Sequence, residues 1–181
     1  MTEATGEAMT RAMNKASRLV LMGFDVDGVL TDGSLYFSSL GDEIKAFSSI
    51  DGHGLKMLQR SGVTVALITG RSSTAVARRA AELGISHLHQ GSEQKLPIFD
   101  GLLEQLGLDY SQAAFMGDDL PDLPLIRRAA VGMTVANAHP LVRQSADWQS
   151  TLAGGQGAVR EACDLIMQTQ GTLCRLLQAY E

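Results

Sequence analysis

Five short apolar runs recur between residues 19 and 135, and a segment of helical periodicity separates each from the next. The runs cover 19–24, 63–69, 86–89, 113–116 and 131–135, and the helical patterns cover 52–60, 74–83, 95–106 and 123–129. Strands that are apolar almost throughout belong to a sheet covered on both faces, and helices between them make those strands parallel. Pro97 and Pro124 sit near helix starts, where a missing N–H costs little. Gly62, Gly84 and Gly107 follow helical patterns, where the chain needs positive φ. The expected fold is a doubly wound α/β domain.

Length and charge narrow the options further. The chain has 181 residues, which suits one domain, and 45% of them are hydrophobic against 19% charged, a composition that excludes disorder. Its net charge of −5 argues against a nucleic-acid or anionic-membrane surface. No apolar run approaches the ~20 residues of a membrane span. Residues 1–17 are polar, lack the apolar core of a secretory signal and read as a flexible N-terminal arm or short helix, leaving 18–181 as the single domain. Cys163 and Cys174 fit neither a zinc nor a CxxC spacing and read as reduced thiols. The expected location is the cytoplasm.

Two segments interrupt the alternation. Leu35-Tyr36-Phe37 and Ile44-Lys45-Ala46-Phe47 flank a polar tip, and the insertion 31–47 reads as a β-hairpin turning at Gly41. It follows the first strand, at the ligand-binding edge of such sheets. Further on, Gly154-Gly155-Gln156-Gly157 separates the main body from a final helix over 158–179.

Polar groups gather where the strands end. The first strand runs into Asp25-Val26-Asp27-Gly28-Val29, the second into Thr69-Gly70-Arg71, and the fourth into Gly117-Asp118-Asp119-Leu120-Pro121-Asp122, while Lys95 opens a helix. The intervals between these clusters approximate one βαβ unit each once 31–47 is set aside, so all four should meet at one sheet edge. Asp25 and Asp27 are two apart and can face one crevice. With Asp118, Asp119 and Asp122 beside them, five carboxylates would repel one another without a cation, and oxygen-only ligands near phosphate suit Mg²⁺. A carboxylate attacking phosphorus gives an aspartyl-phosphate and splits one hard displacement into two easier steps. Lys95 and the metal would hold phosphoryl oxygens, Thr69 would donate a hydrogen bond, and the second aspartate would serve as general acid and base.

At these motifs the chain resembles the haloacid dehalogenase superfamily of phosphohydrolases, with the match carried by DVDGV, ITGR, Lys95 and GDDLPD in that order. The resemblance implies Asp25 as nucleophile, Asp27 as general acid/base, and Thr69 and Lys95 as phosphate binders. It also implies a Mg²⁺ site built from Asp25, the Asp27 carbonyl, Asp118 and Asp119. Residues 30–62 and the tail GGQGAVREACDLIM are similar to the subfamily of 3-deoxy-D-manno-octulosonate 8-phosphate phosphatases, cytoplasmic enzymes of lipopolysaccharide precursor synthesis. That likeness implies a small anionic sugar-phosphate substrate contacted by Asp27, Ser48, Ser49, Ile50, Asp51, Gly52, Lys56, Gly70, Arg71, Arg79 and Lys95. It also implies a homotetramer in which hairpin 31–47, standing in place of a cap domain, meets a neighbour's active site.

Other readings remain open on sequence alone. An Asp-x-Asp pair also suits a surface turn or a glycosyltransferase metal site, and Arg78-Arg79 suits a solvated helix face. Another acidic sugar phosphate is an alternative substrate. A phospho-accepting receiver domain shares the doubly wound sheet, the acidic pocket and one lysine. A silent sugar-binding subunit is disfavoured, because no catalytic position is missing.

Overall fold

A computed structural model describes residues 12–180. Six parallel strands form the sheet: β1 (Leu21–Phe24), β4 (Thr64–Thr69), β5 (His87–Gln90), β6 (Ala113–Met116), β7 (Val131–Thr134) and β8 (Trp148–Gln149), in the order β5-β4-β1-β6-β7-β8. The five expected strands are all present. From β1 the chain winds outward through β4 to β5, then crosses back to lay β6 against the other side of β1. The strand order therefore reverses at β1, and the crevice beyond its carboxyl end is where such sheets take ligands.

The helices are α1 (Ser49–Arg60), α2 (Thr74–Leu83), α3 (Lys95–Leu106), α4 (Leu123–Arg128), α5 (Pro140–Ser145), α6 (Ala158–Thr169) and α7 (Leu173–Leu177). Helices α2 and α3 occupy the ranges their periodicity predicts, each closed by a left-handed glycine, Gly84 or Gly107. Helix α1 begins three residues earlier than expected, because Ser48 caps it: its hydroxyl oxygen accepts the Asp51 N–H at 3.3 Å. The single final helix expected over 158–179 is instead two, broken around Gly171 at φ +68°. Helix α5 and strand β8 have no counterpart among the sequence expectations, being too short to show a period.

Residues 1–11 of the arm expected over 1–17 lie outside the described residues. Residues 12–16 are helical and docked, with Ala12 and Ala16 buried and the Gln170 amide donating to the carbonyls of Ala16 and Leu19. The core lies on both faces of the sheet, where Leu21, Met22, Phe24, Phe99 and Phe115 are fully enclosed. The hairpin forms as expected, though shorter: β2 (Tyr36–Phe37) pairs antiparallel with β3 (Glu43–Ile44), turning through Gly41 at φ +87°.

Helix α1 is joined to α6 by a buried carboxylate. Asp51 accepts the N–H of Gly157 at 3.2 Å and of Arg160 at 2.8 Å, so it acts as the cap of α6. Gly54 lets the two helices close, since a Cβ there would stand 2.9 Å from Arg160 Cδ. Replacing Asp51 with alanine strands two buried N–H donors, which costs about 2 kcal/mol. Thermal unfolding of Asp51→Ala should show a Tm lower by roughly 4–8 °C. An unchanged Tm together with a large loss of turnover would instead assign Asp51 to substrate.

Candidate active site

The turn after β1 is wound tightly around one carbonyl. Val26 C=O accepts the N–H groups of Val29, Leu30 and Thr31, which swings Asp25 and Asp27 toward the same crevice. The Gly-rich segment braces this turn from behind: Gly155 N–H donates to Val29 C=O, and a Cβ on Gly154 would stand 1.8 Å from the Gly28 oxygen. Gly28 is required as well. Its φ is +92°, and an added Cβ would lie 2.2 Å from Asp118 Oδ2, so the carboxylate from β6 packs directly on the β1 turn.

Lys95 is the hub. Its side chain is 4% exposed, and its ammonium lies 2.7 Å from Asp25 and 2.6 Å from Asp122. Burial works to lower its pKa, but the charges of Asp25 and Asp122 outweigh burial and hold the ammonium protonated. Asp122 uses its other oxygen to accept the N–H of Asp118 at 3.0 Å and of Asp119 at 3.3 Å. It also packs where a Gly117 side chain would be, 2.3 Å from the ideal Cβ.

The carboxylate oxygens of Asp25, Asp118 and Asp122 come within 4.8 Å of one another. Asp122 is already bonded through both oxygens, whereas the buried Asp118 Oδ1 has no hydrogen-bond partner among the described residues. Burial first, then the charge of Asp122, pushes both Asp25 and Asp118 above the usual carboxylate range. An orphaned buried oxygen in an all-oxygen, charge-strained cluster fits a hard divalent cation held by Asp25 and Asp118. Asp119 stands on the rim, outside that trio.

These groups surround one cavity of about 370 Å³. Asp25, Asp27, Thr69, Gly70, Arg71, Lys95, Asp118 and Asp119 all line it, together with Pro121 and Asp122 of the same motif and two residues the sequence did not single out, Gly33 and Glu93. A second hollow, about 460 Å³, lies among Lys15, Tyr110 and Arg128 and contains none of the expected site residues.

The remaining expected substrate contacts are not among the cavity's lining residues. Ser48 caps α1, Asp51 caps α6, Ser49 and Ile50 are exposed, and Gly52 faces the Arg79 guanidinium. Arg79 donates to the Ser48 carbonyl at 3.3 Å, tying α2 to the segment before α1. Lys56 is two turns along α1 and opens on a separate groove beside Arg60 and Glu82.

Two hairpin residues missed by sequence reasoning reach the site. The Lys45 ammonium, its side chain 1% exposed, pairs with the Asp27 carboxylate and lies 3.5 Å from Glu43, and Glu43 in turn accepts Arg71 Nη2 at 2.7 Å. Their alternation with Ile44 was the available signal.

Comparison with known proteins gives the same picture. A model of the haloacid dehalogenase-like hydrolases matches residues 35–130. The chain is 45% identical over 168 residues, 93% of its length and 89% of the relative's, to the 3-deoxy-D-manno-octulosonate 8-phosphate phosphatase KdsC of Salmonella typhi. A probable YrbI family phosphatase from Pseudomonas syringae superposes with a TM-score of 0.93 at 52% identity, covering 94% of this chain and 97% of that one. The 3-deoxy-D-manno-octulosonate 8-phosphate phosphatase of Moraxella catarrhalis, solved with magnesium, phosphate and KDO, gives 0.94 at 44%, covering 96% and 99%.

Because Asp25 and Asp118 hold protons more tightly in the fold than free aspartate does, the cation-free fold loses stability as pH rises from ~4 through their elevated values. A bound cation recovers that loss. The rise in Tm on adding Mg²⁺ should therefore be larger at pH 8 than at pH 5.5, and equal shifts at both would refute the carboxylate site.

Proposed function

The chain belongs to the haloacid dehalogenase-like hydrolases, and we propose that it is a Mg²⁺-dependent phosphatase hydrolysing 3-deoxy-D-manno-octulosonate 8-phosphate to the free sugar acid and phosphate. The observation that carries this reading is the convergence of Asp25, Asp27, Thr69, Lys95 and Asp118 on one cavity in a chain 45% identical to KdsC of Salmonella typhi.

Asp25 attacks phosphorus, forming an Asp25 O–P bond as the bond to the sugar oxygen breaks. Asp27 gives that oxygen its proton. Asp27 then takes a proton from water, whose oxygen bonds to phosphorus and releases Asp25. Lys95 and the Thr69 hydroxyl hold the phosphoryl oxygens throughout, and their fixed positions avoid reorganisation during the reaction. The Asp25 and Asp118 carboxylates and the Asp27 carbonyl, with Asp119 at the rim, would hold Mg²⁺, which would supply neutralisation of phosphoryl charge when bound. Arg71 suits the carboxylate of the sugar acid, with Gly70 allowing close approach. Ser48, Ser49, Ile50, Gly52, Lys56 and Arg79 are assigned to substrate or its entry path by resemblance only. The receiver-domain reading is not favoured, given the family.

The hairpin supports assembly into a homotetramer. Leu35, Tyr36, Phe37, Leu40 and Ile44 are exposed, with Phe37 at 61% and Leu40 at 88%, an apolar surface that suits a second copy of this chain beside its active site. Both cysteines are free, in accord with a cytoplasmic location.

Phosphate release should be greatest with the eight-carbon acid among a panel of sugar phosphates and should vanish with chelator. Asp25→Asn should lower kcat by at least ~10³-fold while keeping the fold, and appreciable turnover in that variant would exclude Asp25 as nucleophile. In light scattering, Phe37→Asp/Leu40→Asp should convert a tetramer to smaller species; a wild-type monomer would remove the assembly.

A further inference from the structure

The base of the hairpin places a carboxylate on the arginine assigned to substrate. Arg71 lines the cavity, yet its Nη2 is already bonded to Glu43 at 2.7 Å. The same Glu43 oxygen, Oε1, lies 3.5 Å from the Lys45 ammonium, and Lys45 is itself paired to Asp27. A chain of alternating charge, Asp27–Lys45–Glu43–Arg71, thus spans from the general acid to the anion-binding arginine across the rim of one site, within one protomer.

We infer that Glu43 is an internal surrogate for the substrate's carboxylate, a positioning residue that occupies Arg71 until an acidic sugar phosphate displaces it, so that phosphomonoesters without a carboxylate are rejected. The inference rests on the acidic sugar-phosphate reading above. Its chemistry is an exchange of like for like. Guanidinium pairs with carboxylate in a planar, directional fashion, and a second carboxylate can take over those donors only by releasing the first. The freed Glu43 keeps a cation beside it in Lys45, so its departure leaves no stranded charge. A sugar phosphate without a carboxylate, its phosphoryl group held at Lys95 and Thr69, brings no second carboxylate to Arg71 and leaves the Glu43–Arg71 contact closed at the cavity rim. Selectivity then comes from an element that opposes the wrong ligand as well as from attraction to the right one. The contact is suited to opening: Arg71 is 45% exposed, and Glu43 lies on a two-residue strand at the surface.

The test compares Glu43→Gln with wild type for phosphate release from 3-deoxy-D-manno-octulosonate 8-phosphate and from glucose 6-phosphate, both with Mg²⁺. Glutamine keeps the shape but holds Arg71 without charge. The ratio of kcat/KM for the carboxylate-bearing over the carboxylate-free substrate should fall about tenfold, mainly because glucose 6-phosphate gains. A purely structural role for Glu43 would lower both substrates together, and that result, or an unchanged ratio, overturns the proposal. In unmodified protein, the Arg71 side-chain NMR signals should move when free octulosonate is added and stay put with glucose. Identical responses to both sugars would also overturn it. If wild type prefers glucose 6-phosphate, the substrate reading itself fails; if wild type prefers the acid and Glu43→Gln keeps that preference, only the surrogate role fails.

Discussion

A buried ammonium between two carboxylates holds this site together. Lys95 sits within 2.7 Å of both Asp25 and Asp122, at the first residue of its helix, with almost no access to water. Removing one partner from such a group leaves an uncompensated buried charge, which is costly, so the three residues fix one another. Through Asp25 the lysine pins the end of β1, and through Asp122 it pins the loop after β6. The crevice between those strands is thereby held at a set width.

Even so, the cluster carries more negative than positive charge. The orphaned Asp118 oxygen and the upward pKa shifts of Asp25 and Asp118 express that imbalance. On the proposed function that imbalance is what a divalent cation would relieve, and with the donors at Thr69 and Lys95 the same spot would then suit a phosphoryl group. A chain of net charge −5 can bind an anion because Lys95, Lys45 and Arg71 stand together at one sheet edge.

Glycines decide how closely these parts approach. Gly28 makes room for Asp118, Gly117 for Asp122, and Gly154 for the Gly28 carbonyl. The last contact gives the Gly-rich segment its purpose. In sequence it looks like a spacer before a helix, but it is the wall behind the turn that carries Asp25 and Asp27. Asp51 shows a similar change of meaning, since a polar residue in an expected substrate loop proves to cap α6.

The periodicity of the chain was enough to determine the doubly wound sheet, because apolar strands and amphipathic helices each reflect local burial. The order of Asp25, Asp27, Thr69, Lys95, Asp118 and Asp119 was likewise legible, since strand ends in such a sheet lie on one edge and all six line one cavity. Short elements escaped: α5 and β8 have six and two residues and show no period. Only the tertiary structure decided which polar groups face each other. The pairing of Asp122 with Lys95 bridges 27 residues of chain, and that of Glu43 with Arg71 bridges 28. Ion pairs at that separation depend on how loops pack in three dimensions, whereas strands and helices are written in the spacing of neighbouring residues.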